Sequence, residues 1–382
     1  MKHYLLSIFF VILFISCKED SGLEPEIVIP QRTIIAYLCG DNNLSSEVNI
    51  KIQALQEGMQ KIGETDNHLI VYADSRNEMP KLWKITADET ILLVEYAEMN
   101  SASSNNMNKI IREIMNDFPA QTYGLICFSH ASGWLPRGAL NDPAGFAAKY
   151  PEARSRSVFE DGENEMTISE LENAIPLTEN GDKFEFIIFE TCYMAGVEVA
   201  WELREKTKYI VASSAEMLSN GFVEIYPEHL TGLFAPQPNL KTFAEAHFNN
   251  WNNKTGTSRS ATISVINLAS ITELANTIKT IQINRIECEI AFFQHFNRNS
   301  HRLFFDLSDY IQSIATPEQF SAYQRELSHV VTYQAATPRF MPGYTFSFNI
   351  RSHCGLTTYI RQNAFPDLNA AYDETNWAKA IL

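Results

Sequence analysis

Apolar residues in this chain fall into two rhythms. Short, nearly unbroken apolar runs at 33–38, 68–73, 122–129, 184–189 and 209–213 suit strands buried on both faces. Between them lie stretches with helical spacing. One covers 44–59 after Asp41-Asn42-Asn43, which offers capping chemistry; another covers 103–118, from Ser103-Ser104-Asn105 to Pro119. A third begins at Thr167, with Glu170 at capping-box distance, and a fourth reads across 193–203. Runs at 81–85 and 91–96 read as a hairpin or edge pair. Strands alternating with helices predict an α/β fold, with a mostly parallel central sheet and helices on both faces.

Two of the strands end on residues that carry chemistry. The run at 184–189 leads through Glu190 and Thr191 to Cys192, with a helical pattern following at once. A thiol at a strand-to-helix junction lies near the positive end of the helix dipole, which favours the nucleophilic thiolate. An ordinary thiol is only ~3% ionised at pH 7. The run at 122–129 delivers His130, followed by the small-residue turn Ala131-Ser132-Gly133 and Trp134. Sites in open α/β sheets gather at the carboxyl ends of strands. If the two strands are neighbours, Cys192 and His130 form a thiol–imidazole dyad, with N–H groups at Ala131 and Cys192 as an oxyanion hole. The same spacing also fits a buried structural Cys and a His in a loop hydrogen bond.

His130-Ala131-Ser132-Gly133-Trp134 resembles the His-Gly-Gly-Gly-Trp block of the clostripain family of cysteine peptidases. Phe189-Glu190-Thr191-Cys192-Tyr193-Met194 resembles its Phe-Asp-Ala-Cys-Leu-Met block. Residues 37–44, 197–203 and 213–221 are also similar, and the blocks occur in the family's order over roughly 31–235. The resemblance implies a caspase-like three-layer sandwich and a cysteine endopeptidase with His130 and Cys192 as the dyad. It further implies a polypeptide substrate cut after Arg or Lys. Glu190 would stand for the family's specificity-setting Asp, with Ser214 and Glu216 bordering that pocket. Three positions depart from the pattern. Ala131 replaces a Gly, which adds strain if the backbone needs positive φ. Glu190 reaches one methylene further than Asp, and Thr191 replaces Ala. An alternative reading is a catalytically degenerate binding lipoprotein on the same fold. Calcium dependence occurs in the family, but no paired metal-ligand spacing is visible, so no metal or other cofactor is expected from the residues.

The N-terminus reads as a targeting segment. Lys2 and His3 precede an apolar stretch at 5–15 that is too short to span a bilayer, and Ser16-Cys17 closes it. This resembles a bacterial lipoprotein signal over 1–16, with Cys17 as the lipidated residue. Lys18-Glu19-Asp20 resembles the surface-export signal of Bacteroidetes lipoproteins. The expected location is the outer membrane, facing the periplasm or the surface, with 17–30 as a tether. A net charge of −16 argues against nucleic acid as a partner. Six Cys in 382 residues make no disulfide framework, and Cys39, Cys127 and Cys288 read as core or helix positions. Ser352-His353-Cys354 reads as a late strand or turn with no chemistry, since neighbours on a strand point apart.

Residues 135–166 look like an unusually long connection between the His and Cys strands. They contain Lys149, Arg154 and Arg156, candidate cleavage sites for an enzyme that cuts after basic residues. Pro236-Gln237-Pro238 marks a boundary between a peptidase domain at 31–235 and a smaller C-terminal α/β subdomain at 236–382 that completes the fold. There, 261–267 reads as a strand and 268–293 as one or two long helices. The Phe-rich stretches at 292–293, 304–305, 340 and 346 suggest a packed core.

Overall fold

The computed structural model describes residues 29–150, 158–281 and 289–382. The signal segment, Cys17, most of the tether, Arg154, Arg156 and Cys288 lie outside the described residues.

The chain runs β1 (Arg32–Gly40), α1 (Ser45–Ile62), β2 (His68–Ser75), β3 (Lys81–Ile85), β4 (Thr90–Glu95), α2 (Ser104–Asp117) and β5 (Thr122–Phe128). It continues through α3 (Phe146–Lys149), β6 (Phe159–Asp161), β7 (Asn164–Met166), α4 (Ile168–Ala174), β8 (Phe184–Glu190), α5 (Val197–Leu203) and β9 (Thr207–Ala212). Then come α6 (Tyr226–Phe234), α7 (Leu240–Asn252), β10 (Thr262–Asn267), α8 (Ile271–Lys279), β11 (Phe305–Asp306), α9 (Leu307–Ile314) and α10 (Pro317–Val330). The last elements are β12 (Val331–Ala336), β13 (Arg339–Phe340), β14 (Phe348–Asn349), β15 (Thr357–Thr358), α11 (Pro366–Asp373) and α12 (Asn376–Ile381).

One nine-stranded sheet has the order β12-β10-β9-β8-β5-β1-β2-β3-β4. Its five middle strands, β9 to β2, are parallel, and an antiparallel pair closes each edge. Each middle strand is buried on both faces, so its residues alternate between two cores. Ile34, Ala36 and Leu38 lie in the core on the α1 side, which α6 and α7 extend; Ile35, Tyr37 and Cys39 lie in the core on the α2 side, which α4, α5, α8, α10 and α12 extend. The helices obey the same rule from their side. In α2, Met107, Ile110, Ile111 and Ile114 are fully buried along one stripe. At about 1.5–3 kcal/mol each, those four hold the helix to the sheet without a side-chain cap, which Ser103 does not supply. The capping box expected at Thr167 and Glu170 is present at the start of α4.

Beyond residue 236 the chain adds β10 and β12 to the same sheet and forms two small separate sheets, β11–β15 and β13–β14. Arg32 ties the junction down: its guanidinium donates to the carbonyls of Leu233 and Ala235, both at 2.6 Å. The long helices expected over 268–293 are, among the described residues, α8 and two short turns at Leu268–Ser270 and Ile290–Phe292. Phe293, Phe304, Phe305 and Phe340 are buried as the composition suggested, whereas Phe292 and Phe346 are exposed. The connection at 135–166 is not structureless either, since α3 and the β6–β7 hairpin stand on its two flanks. No helix among the described residues is long and apolar enough to cross a membrane.

Candidate active site

Strands β5 and β8 are immediate parallel neighbours, with Phe128 paired to Glu190. His130 and Cys192 each lie two residues past that pair, at the carboxyl end of the sheet. Both therefore lie just beyond the ends of neighbouring strands, in the segments that leave the sheet there. The His130 ring is half-buried, and its Nε2 bonds the side-chain oxygen of Asn43, which follows β1. An amide oxygen only accepts, so Nε2 is the donor in this contact. The side-chain cap expected for this segment is not made: Leu44 is the N-cap of α1, and Asn42 Oδ1 accepts from Leu44 N–H at 2.8 Å in the turn before the helix. Asn43 was missed as a site residue because nothing local distinguishes it from a cap.

Cys192 does not sit at the mouth of a helix. The helix expected from 193 begins only at Val197, and Tyr193 takes a left-handed turn with φ 61°. Tyr193 N–H donates to Ala215 O at 2.9 Å and Ala195 N–H to Ser213 O at 3.0 Å, so the segment after the thiol is tied to the chain leaving β9. A seven-residue helix set off from the thiol cannot supply the dipole effect inferred from the sequence. The outcome is the reverse of that expectation. Although Cys192 is part-exposed as a residue, burial of the thiol dominates and pushes it up to about 12, against a smaller lowering by the Met217 N–H, which points at Sγ from 3.3 Å. Burial therefore favours the neutral thiol at rest.

The backbone at Ala131 has no positive φ, so a side chain costs nothing there. The position that needs glycine is Gly133. Its φ is 60°, and a Cβ would lie 2.8 Å from Tyr193 O, against the turn that carries the thiol. The N–H groups of Ala131 and Cys192 donate no hydrogen bond among the described residues.

Glu190 is placed differently from the expectation that it meets a basic substrate side chain. Its carboxylate is buried and points inward, toward α1 and α6. It accepts from Lys51 Nζ at 2.8 Å, Phe222 N–H at 2.6 Å and Tyr226 O–H at 3.0 Å. Lys51 is equally buried, lies 3.6 Å from Glu47 and covers the Phe128 ring with its Nζ 4.2 Å from the centroid. Glu47 in turn holds Ser219 Oγ at 2.7 Å and Asn220 N–H at 3.2 Å. Together these groups clamp the 217–222 loop, whose Met217 borders the thiol. Gly221 has no room for a side chain, since a Cβ would fall 2.1 Å from Glu190 Oε1. Lys51 was legible in principle: a lysine on the apolar stripe of α1, between Val48 and Leu55, asks for a buried anion.

Ser214 is buried and bonds His353 Nε2 at 3.1 Å, a ring that burial holds down to about 4. Cys354 turns away from that ring, its Sγ 3.2 Å from Leu356 O. Glu216 is part-exposed beside the thiol and pairs with Arg298, a residue sequence reasoning did not single out. Lys149 is exposed at the end of α3. Cys39, Cys127, Cys192 and Cys354 are free thiols. Among the described residues no three His, Cys, Asp or Glu side chains are grouped to hold a metal ion. A separate buried carboxyl, Asp74 at the end of β2, accepts from Ser101 Oγ through Oδ2 while Oδ1 has no partner, and burial raises it to about 7.

A family model described as the clostripain family matches residues 36–363. No curated protein matches the sequence. Among solved structures, the chain is similar to a C11 protease from Parabacteroides distasonis, determined as an inactive zymogen. The identity is 28% and the TM-score 0.79, over 92% of this chain and 98% of that one. It is also similar in fold to a secreted C11 cysteine protease from Bacteroides thetaiotaomicron in complex with an irreversible peptide inhibitor. There the identity is 24% and the TM-score 0.78, over 92% and 99%.

Proposed function

The chain belongs to the clostripain family and is a cysteine peptidase, and from that premise we propose that Cys192 and His130 form its catalytic dyad. The observation that supports this reading is the β5–β8 pairing, which sends the chain segments carrying both residues out of the same end of two neighbouring strands. Because the resting thiol is neutral, His130 acts as general base during attack. Nδ1 takes the thiol proton as Sγ bonds the scissile carbonyl carbon, and the same proton then goes to the leaving amine. Water hydrolyses the thioester with His130 again as base. The unpaired N–H groups of Ala131 and Cys192 are suited to hold the oxyanion. Asn43 keeps His130 in the required tautomer. A peptidyl acyloxymethyl ketone should label Cys192 and no other thiol, and Cys192→Ala should abolish turnover while the fold persists. Labelling of Cys39, Cys127 or Cys354 instead would reject the assignment.

The substrate is a polypeptide with a basic residue before the scissile bond. Glu216 supports this better than Glu190, because it is the carboxylate beside the thiol that water and substrate reach. Ser214 shapes the backbone leading to it. A fluorogenic peptide library without preference for Arg or Lys would reject the basic specificity and leave the dyad standing. Cleavage after Lys149, Arg154 or Arg156 follows from the same specificity. The lipoprotein-like N-terminus supports attachment to the outer membrane through a lipid on Cys17. Retention of a Cys17→Ala variant in the membrane fraction would reject that.

A further inference from the structure

Glu216 is already occupied by the chain's own arginine. Arg298 Nη2 donates to Glu216 Oε1 at 2.8 Å, and its Nε bonds the other carboxylate oxygen, so the guanidinium takes the carboxylate in a two-point grip. The guanidinium carbon lies 5.4 Å from the ring centroid of Tyr344, which is exposed. A substrate arginine in a specificity pocket is gripped in the same manner, with a carboxylate at its fork and an aromatic face along its plane. Both partners remain about a fifth exposed, at 22% and 23%. The pair is therefore not a sealed core contact like Lys51–Glu190.

The segment carrying Arg298 is itself well anchored. Phe296 N–H donates to Phe304 O at 2.9 Å, and Asn297 closes the loop through Leu303 N–H at 3.0 Å. Phe304 stacks on Tyr193, the residue after the nucleophile, with centroids 4.5 Å apart. The guanidinium is thus delivered to the thiol's flank by a fixed arm and ends on an accessible carboxylate there.

We propose that Arg298 is an internal occupant of the basic-residue subsite: its guanidinium rests on Glu216 where a substrate Arg or Lys side chain binds, and substrate must displace it. This rests on the basic specificity assigned to Glu216 above. An intramolecular group competes at an effective concentration in the ~mM range, so the occupant sets a threshold that weak basic ligands do not pass. A two-point charged contact is strong enough to be filled at rest, while partial exposure keeps it weak enough to exchange. Together these place the cost to a basic substrate at about tenfold in apparent affinity.

The test compares wild type, Arg298→Met, which keeps an apolar stem against Tyr344, and Glu216→Gln on matched peptides with Arg or Gln before the scissile bond. In Arg298→Met the ratio of kcat/KM for Arg over Gln should rise about tenfold, carried by KM and not by kcat. In Glu216→Gln that preference should collapse. A wild-type preference for Arg with no rise in Arg298→Met overturns the internal occupant while the specificity reading stands. A loss of kcat/KM on both peptides in Arg298→Met, with the melting temperature unchanged, overturns it too, because Arg298 then only positions Glu216. Absence of any basic preference in all three proteins overturns the specificity reading and the occupant with it.

Discussion

Replacing Lys51 by Met tests how the 217–222 loop is held. At 2.8 Å and an effective dielectric near 20, the Lys51–Glu190 attraction is about 6 kcal/mol, and Lys51–Glu47 at 3.6 Å adds about 5 kcal/mol. Most of this offsets the desolvation of three charged groups, so it is not net stability. Removing the cation alone leaves two carboxylates facing each other with only neutral donors. That imbalance costs ~3–5 kcal/mol, the usual penalty for an unpaired buried charge. Glu190→Gln is milder, at ~1–3 kcal/mol, because Lys51 keeps Glu47, the amide oxygen of the substituted side chain can still accept from Phe222 N–H, and its NH2 can donate to the Tyr226 hydroxyl oxygen instead of accepting from it. The double variant Lys51→Met/Glu190→Gln should be less destabilised than the sum of the singles by at least ~1.5 kcal/mol. Urea unfolding of the four proteins reads the cycle directly. Turnover should fall with Lys51→Met at denaturant concentrations where the protein remains folded, since the loop bordering Cys192 loses its clamp. A Lys51→Met variant within about 1 kcal/mol of wild type, or singles that simply add, would refute the claim that Glu190 is committed to an internal ion pair.

Three further outcomes follow from the geometry. With the Cys192 thiol pushed up to about 12, alkylation of the free enzyme by iodoacetamide should keep accelerating from pH 7 through pH 10; a plateau below pH 7 would mean a preformed thiolate. Asn43→Ala should lower kcat about tenfold with little change in KM or melting temperature, because it frees the His130 ring to adopt the wrong tautomer; an equal effect on stability would make Asn43 structural only. Asp74 has a folded value of about 7, above its unfolded one, so its contribution to stability is complete below about pH 4 and lost as pH rises through 7. Asp74→Asn should therefore gain on wild type by at least ~1 kcal/mol between pH 5 and pH 8, and a flat difference across that range would count against a strained carboxylate.

The elements that bury apolar runs on both faces were legible in the sequence, because that pattern is local. The strands ending at Phe128 and Glu190 read clearly, and so did the capping box at Thr167. Their adjacency was conditional, since no spacing along the chain states which strands pair. The turn at 193–196 misled, because Met194, Ala195 and Val197 satisfy helical spacing, while the backbone there bonds to residues 213–215 instead of to itself. Glu190 and Glu216 were both visible as acids near the thiol. What set them apart was the partner of each: Lys51 lies 139 residues from Glu190 and Arg298 lies 82 from Glu216, and neither pairing leaves a mark in either segment alone.

The long connection between β5 and β8 has a topological consequence. Strand β5 and everything before it precede residue 151, whereas β8 and β9 follow residue 157, yet β5 and β8 are hydrogen-bonded in the middle of the sheet. The two flanks of the connection are separately pinned: Gly138 packs on Tyr150, while Asn42 and Ser129 hold the backbone of Glu160. Arg137 and Glu165 join the flanks across 3.3 Å. A chain broken anywhere between 150 and 158 would therefore give two polypeptides by electrophoresis in detergent and one particle in solution. Neither piece would hold a whole active site, since His130 would belong to one and Cys192 to the other. The molecule can be read as two complementary fragments that happen to be synthesised as a single chain.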